Sequence, residues 1–206
     1  MKTLMVKCAM VAASLVMAAS AYAGIGTSSA NDAHLDGSPA DDFAYMDGWN
    51  PQAGPNGDTS GFASAFSGSG VGSWTLLGKM PASPTTWMST LKFTYSGTGN
   101  TGLWTVENLT TNIITLDLVM AIHAGNQGGA WLFDDQTILP GQTLNGDWTI
   151  NWLVGAKQQN HPDFSNMTLF GRDMIITQVP EPETYAMLLA GLAGLGFMAR
   201  RKGRAT

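Results

Sequence analysis

Cysteine is almost missing from this 206-residue chain: Cys8 is the single one. One thiol cannot close a disulfide within the chain, so the fold must be held by its apolar core. Cations are scarce too, because between Gly24 and Gln178 only Lys79, Lys92, Lys157 and Arg172 face thirteen Asp and Glu. A surface this acidic excludes nucleic acid and anionic lipid as expected partners, since both require clustered Lys and Arg to displace counterions. The three histidines, His34, His123 and His161, are far apart and form no zinc spacing. There is no Gly-x-Ser-x-Gly elbow, no phosphate-cradling loop and no internal repeat. Amphipathic helical periodicity is lacking between the two ends.

What is present begins with an export signal. Lys2 and Lys7 form a basic start, Ala9 to Ala19 is apolar, and Ala21-Tyr22-Ala23 has the small-x-small pattern of a cleavage site. Residues 1–23 therefore read as a signal peptide for the general secretory machinery, cut by signal peptidase after Ala23. Cys8 leaves with it, and the exported domain carries no thiol. A domain of about 155 residues buries roughly two thirds of its surface on folding and needs no covalent staple.

Residues 24–73 are rich in Gly, Ser, Asn, Asp and Pro and read as turns and loop with short strands at best. From Trp74 the character changes. Trp74–Leu77, Trp87–Tyr95, Leu103–Glu107, Ile113–His123, Ala130–Phe133, Trp148–Val154 and Met167–Phe170 are β-rich runs bounded by turn residues. In Ile113–His123, Ile114, Leu116, Leu118, Met120 and Ile122 share one side by the two-residue period, and Thr115, Asp117 and His123 share the other. Trp148, Ile150, Trp152 and Val154 alternate likewise. Residues 74–178 are expected to form the core of an all-β, antiparallel β-sandwich.

Three sets of residues are candidates for chemistry. Asp36, Asp41, Asp42, Asp47 and Asp58 crowd a Gly-rich loop with oxygen ligands of the kind that hold extracellular calcium, although their spacing lacks the bidentate Glu of a calcium loop. Trp49, between Gly48 and Asn50, is the tryptophan placed to present itself as a sugar-binding platform, provided that it is exposed. The carboxylate pairs Asp134–Asp135 and Asp41–Asp42 raise a secreted hydrolase such as a glycosidase. Neighbours on a strand point to opposite faces, however, so neither pair is a ready acid and base couple. A noncatalytic domain is the expectation.

The end of the chain is organised differently. Val179-Pro180-Glu181-Pro182 favours an extended backbone, because each proline fixes φ and biases its predecessor away from helix. Residues 185–199 then run without charge, giving about 22 Å of helix against the ~30 Å bilayer core. Arg200, Arg201, Lys202 and Arg204 follow as a basic stop that the positive-inside tendency keeps in the cytoplasm.

Motif, short transmembrane span and basic end together resemble the PEP-CTERM sorting signal of Gram-negative bacteria over residues 179–206, a tail that also carries an ice-binding protein C-terminal label. The resemblance implies recognition by an exosortase and cleavage near the motif. It implies transient residence in the inner membrane with the domain outside, then the cell surface or extracellular matrix, in association with exopolysaccharide or biofilm. The middle resembles, more loosely, ectodomains attached to such tails, through "AIHAGNQGGAWLFDD" and "SNMTLFGRD". No catalytic residue is implied by either.

Overall fold

The computed structural model describes residues 28–80, 85–88, 90–154, 159–179 and 186–195. Ala21 and Ala23 of the signal, Pro180, Glu181 and Pro182 of the motif, and Arg200, Arg201, Lys202 and Arg204 lie outside the described residues.

The described chain is built of two antiparallel sheets. Its strands are β1 (Ala33–Leu35), β2 (Ser38–Pro39), β3 (Asp42–Asp47), β4 (Thr75–Met80), β5 (Thr85–Met88), β6 (Leu91–Thr98), β7 (Thr101–Asn108), β8 (Ile113–Ala124), β9 (Gln127–Ile138), β10 (Thr143–Thr149) and β11 (Phe164–Thr177). One sheet runs β2-β1-β10-β7-β6-β5 and the other β3-β9-β8-β11-β4. The two share one core, in which Phe93, Trp104, Val106, Leu144 and Trp148 of the first sheet meet Ile114, Leu116, Leu118, Met120, Ile122, Trp131 and Phe133 of the second. The rings of Trp104 and Phe133 meet across it with centroids 5.4 Å apart.

The long β8–β9 hairpin organises the second sheet. Its two-residue turn, Gly125-Asn126, has φ of 61° and 60°. Positive φ at both positions is the primed geometry whose twist matches the flanking strands. Ala124 thereby pairs with Gln127, and the register continues outward to Ile114 opposite Ile138.

The alternation read in Ile113–His123 places the expected five residues in the shared core. Its other side, which carries Thr115, Asp117 and His123, is covered along part of its length as well. Val119 and Ala121 are also buried, with Leu132, Phe170, Trp49, Phe62 and Phe66, in a second apolar cluster. That cluster forms because the segment between β3 and β4 folds over the outer face of the second sheet. Gln52 Nε2 donates to the carbonyls of Met80 and Met167, and Lys79 Nζ donates to those of Gln52 and Gly54.

The loop-rich stretch 24–73 is thus part of the sandwich. β1 pairs with β10 and β3 with β9, so the sheets begin at Ala33. The run Trp87–Tyr95 is two strands, β5 and β6, that turn back on each other. The run Trp148–Val154 leaves the sheet after Thr149, although Ile150 and Trp152 stay buried.

Candidate functional site

At one end of the covered face a row of polar groups crosses the second sheet from strand to strand. Arg172 on β11 and Asp117 on β8 are register partners, and Arg172 Nε donates to Asp117 Oδ2 at 2.8 Å. Both side chains are almost wholly buried, 2% and 4% exposed. Two opposite charges buried among apolar strand residues survive only as a pair, because an isolated charge in that setting costs far more than a strand returns.

The row extends in both directions. Arg172 Nη1 donates to the Phe66 carbonyl at 3.1 Å, and its guanidinium lies 4.2 Å from the centre of the Trp74 ring, within cation–π range. On the other side, Asp117 Oδ1 accepts from the Asp135 amide at 3.1 Å, and Asp41 Oδ2 accepts from the Asp134 amide at 2.8 Å.

Two irregularities in the ladders assemble this row. The β8–β9 register shifts between Leu116 and Leu118, opposite Asp135 with φ of 47°. The β11 register shifts between Arg172 and Ile175, next to Asp173 with φ of 52°. A bulge re-aims the side chains beside it. Here the outcome is a crowd of carboxylates, and burial pushes the Asp134 carboxyl up to about 6, aided by its hydrogen bond with Asp117 and by the negative charges of Asp117, Asp135 and Asp41. Asp134 Oδ1 is buried without a hydrogen-bond partner.

Beside the guanidinium is an open depression of about 360 Å³ lined by Thr59, Ala63, Ser67, Gly70, Gly72, Ser73, Trp74 and Arg172. Arg172 Nη2 is the guanidinium nitrogen that has no hydrogen-bond partner. Gly70 packs directly on the ion pair: a Cβ there would stand 2.7 Å from Asp117 Oδ2, 2.8 Å from Arg172 Nη2 and 2.9 Å from Asp173 Oδ2.

The residues expected to bind ligand are placed otherwise. Trp49 is 3% exposed. Its ring lies against Gly61 and Gly128, where any Cβ would overlap it, and its centroid is 5.9 Å from that of Phe62. Trp49 is therefore a core residue of the second cluster, and the exposed platform expected of it is overturned by the fold of the loop onto the sheet.

The aspartates proposed for calcium do not converge. Asp36 sits at the β1–β2 turn with φ of 50°, Asp42 and Asp47 stand at opposite ends of β3, Asp41 binds the Asp134 amide, and Asp58 accepts from the Ser60 amide. Among the described residues no group of three His, Cys, Asp or Glu side chains is arranged to hold a metal ion. Asp134 is paired with Asp117, a residue that the reading of adjacent carboxylates does not connect to it.

The histidines serve local structure. His34 Nδ1 contacts Asp147 Oδ1 at 2.9 Å, and His161 Nδ1 lies 3.3 Å from the Trp152 carbonyl. Burial lowers the pKa of His123, whose Nδ1 is without a partner.

Toward the C-terminus, β11 ends at Thr177 and Val179, the first motif residue, is 45% exposed. Residues 186–195 are helical, with every residue exposed, including Met187, Leu188, Leu189, Leu192 and Leu195. Among the described residues no helix is long and apolar enough to cross a membrane. Neither the curated proteins nor the solved structures contain a match to the chain. Residues 178–202 match the family model described as PEP-CTERM protein-sorting motif, so the chain carries that sorting signal at its C-terminal end.

Proposed function

We propose that this chain is an exported, noncatalytic surface or extracellular-matrix protein. It passes through the general secretory machinery, loses residues 1–23 to signal peptidase, and is processed by an exosortase at Val179-Pro180-Glu181-Pro182. Residues 185–199 hold the precursor in the inner membrane while Arg200, Arg201, Lys202 and Arg204 stay on the cytoplasmic side. Association with exopolysaccharide follows release.

The observation that carries the reading is the match of residues 178–202 to the sorting motif. The geometry supports it. The last strand ends only two residues before Pro180, and Gln178 and Val179 are exposed. A protease needs an extended, unpaired segment, and the prolines favour one where the sheet stops. The exposed apolar side chains of 186–195 have the character of a segment that meets lipid or another membrane helix.

The test is a chain carrying Glu181→Ala and Pro182→Ala, expressed in the native host. The variant is expected to accumulate as a membrane-associated precursor, while wild type appears as a shortened, released product by mass spectrometry. Equal processing and release of both would remove the exosortase from the reading.

A further inference from the structure

We propose that the depression beside Trp74 and Arg172 is a binding subsite for a neutral sugar residue of a polysaccharide. It is separate from the sorting signal and from Trp49, and it stands whether or not an exosortase processes the tail.

Three observations carry it. The first is shape and lining. About 360 Å³ of open space is bordered by the half-buried indole of Trp74, the hydroxyl-bearing Thr59, Ser67 and Ser73, and the backbone of Gly70 and Gly72. A pyranose ring presents an apolar C–H face and a rim of hydroxyls, and an aromatic wall beside small polar groups complements both.

The second is the guanidinium. Arg172 has its Nε on Asp117 and its Nη1 on the Phe66 carbonyl, while Nη2 is buried behind Gly70 and unpartnered, in a side chain that lines the depression. Leaving a charged donor buried without an acceptor is costly. A sugar hydroxyl would supply the acceptor, held in place by a side chain that Trp74 and Asp117 already fix.

The third is charge. Asp117 neutralises Arg172 at 2.8 Å, and Asp173 stands 4.0 Å from it. The immediate surroundings therefore carry no surplus positive charge. A uronate or sulfated sugar would meet carboxylates, and a neutral hexose would not.

The probe set is three gels, containing dextran, yeast mannan or alginate, run with the full chain in detergent. Wild type is expected to be retarded by dextran or mannan and not by alginate. Trp74→Ala is expected to weaken that retardation roughly tenfold, as truncation of an aromatic anchor does. Because Trp74 also packs on Phe62, a second variant leaves the core alone. Ser67 is exposed at the rim, and Ser67→Arg would fill the depression, abolishing retardation without moving the melting temperature. Migration of wild type unaltered by both neutral gels, stronger retardation by alginate, or full retention by Ser67→Arg would each overturn the proposal.

Discussion

Partial burial, with Asp117, Asp135 and Asp41 alongside, pushes the Asp134 carboxyl up to about 6. Its folded pKa lies above that of an unfolded aspartate. Between about pH 4 and pH 6 the folded state therefore binds more protons than the unfolded one, and this group's contribution is lost as pH rises through about 6. His123 acts in the opposite sense, since its lowered pKa costs stability as pH falls below the usual histidine range. The two are separable by mutation. Asp134→Asn keeps a side-chain donor for Asp117 and removes the charge. It is expected to raise the melting temperature at pH 8 by ~2–4 °C, corresponding to about 1 kcal/mol in a domain of this size. The gain over wild type should disappear by pH 4, as followed by circular dichroism melts across that range. Equal melting temperatures of variant and wild type at pH 8 would show that the carboxyl ionises without penalty.

The second sheet is covered on both faces, and Trp49 is the buried indole of its outer cover. Truncating it to Ala removes an indole packed on Phe62 and on the backbone of Gly61 and Gly128. The expected cost is roughly 3–5 kcal/mol in a urea titration, with no specific change in polysaccharide retention for the fraction that folds. Little loss of stability would mean that the loop cover is energetically detached from the sheet.

This element also marks the boundary of what the sequence discloses. β8 was legible because its alternation is local, each apolar residue following the last by two positions. β1 and β3 were not, because β1 is only three residues long and both take their ladders from β10 and β9, far along the chain. The separation of β5 from β6 was hidden because "MSTL" holds no Gly, Pro, Asn or Asp to announce a turn. Asp117 and Arg172 did leave a signal that could have joined them. Asp117 is the only carboxylate of β8 and Arg172 the only cation of β11, both among apolar residues, and charges in that setting need partners.

Across the whole molecule, the sandwich and its sorting tail are distinct in packing. The described helical residues 186–195 are exposed throughout, whereas Arg172 is in the buried ion pair and Ile175, Ile176 and Thr177 still pair with β8. Stability should therefore end between Arg172 and Val179. A chain stopped after Gln178 is expected to melt within ~1 °C of the full chain in the same detergent, since every described residue that it loses is exposed. A chain stopped after Gly171 orphans Asp117 in the interior and forfeits the last ladder of β11. Removing one member of a buried ion pair costs about 3–5 kcal/mol, so that shorter chain should unfold at markedly lower urea. Comparable midpoints for the two truncations would place the end of the stable domain before Arg172 and deny the ion pair its structural role. If the expected order holds, an exosortase cutting near Pro180-Glu181-Pro182 releases the domain with its ion pair, its last strand and the Trp74 depression intact.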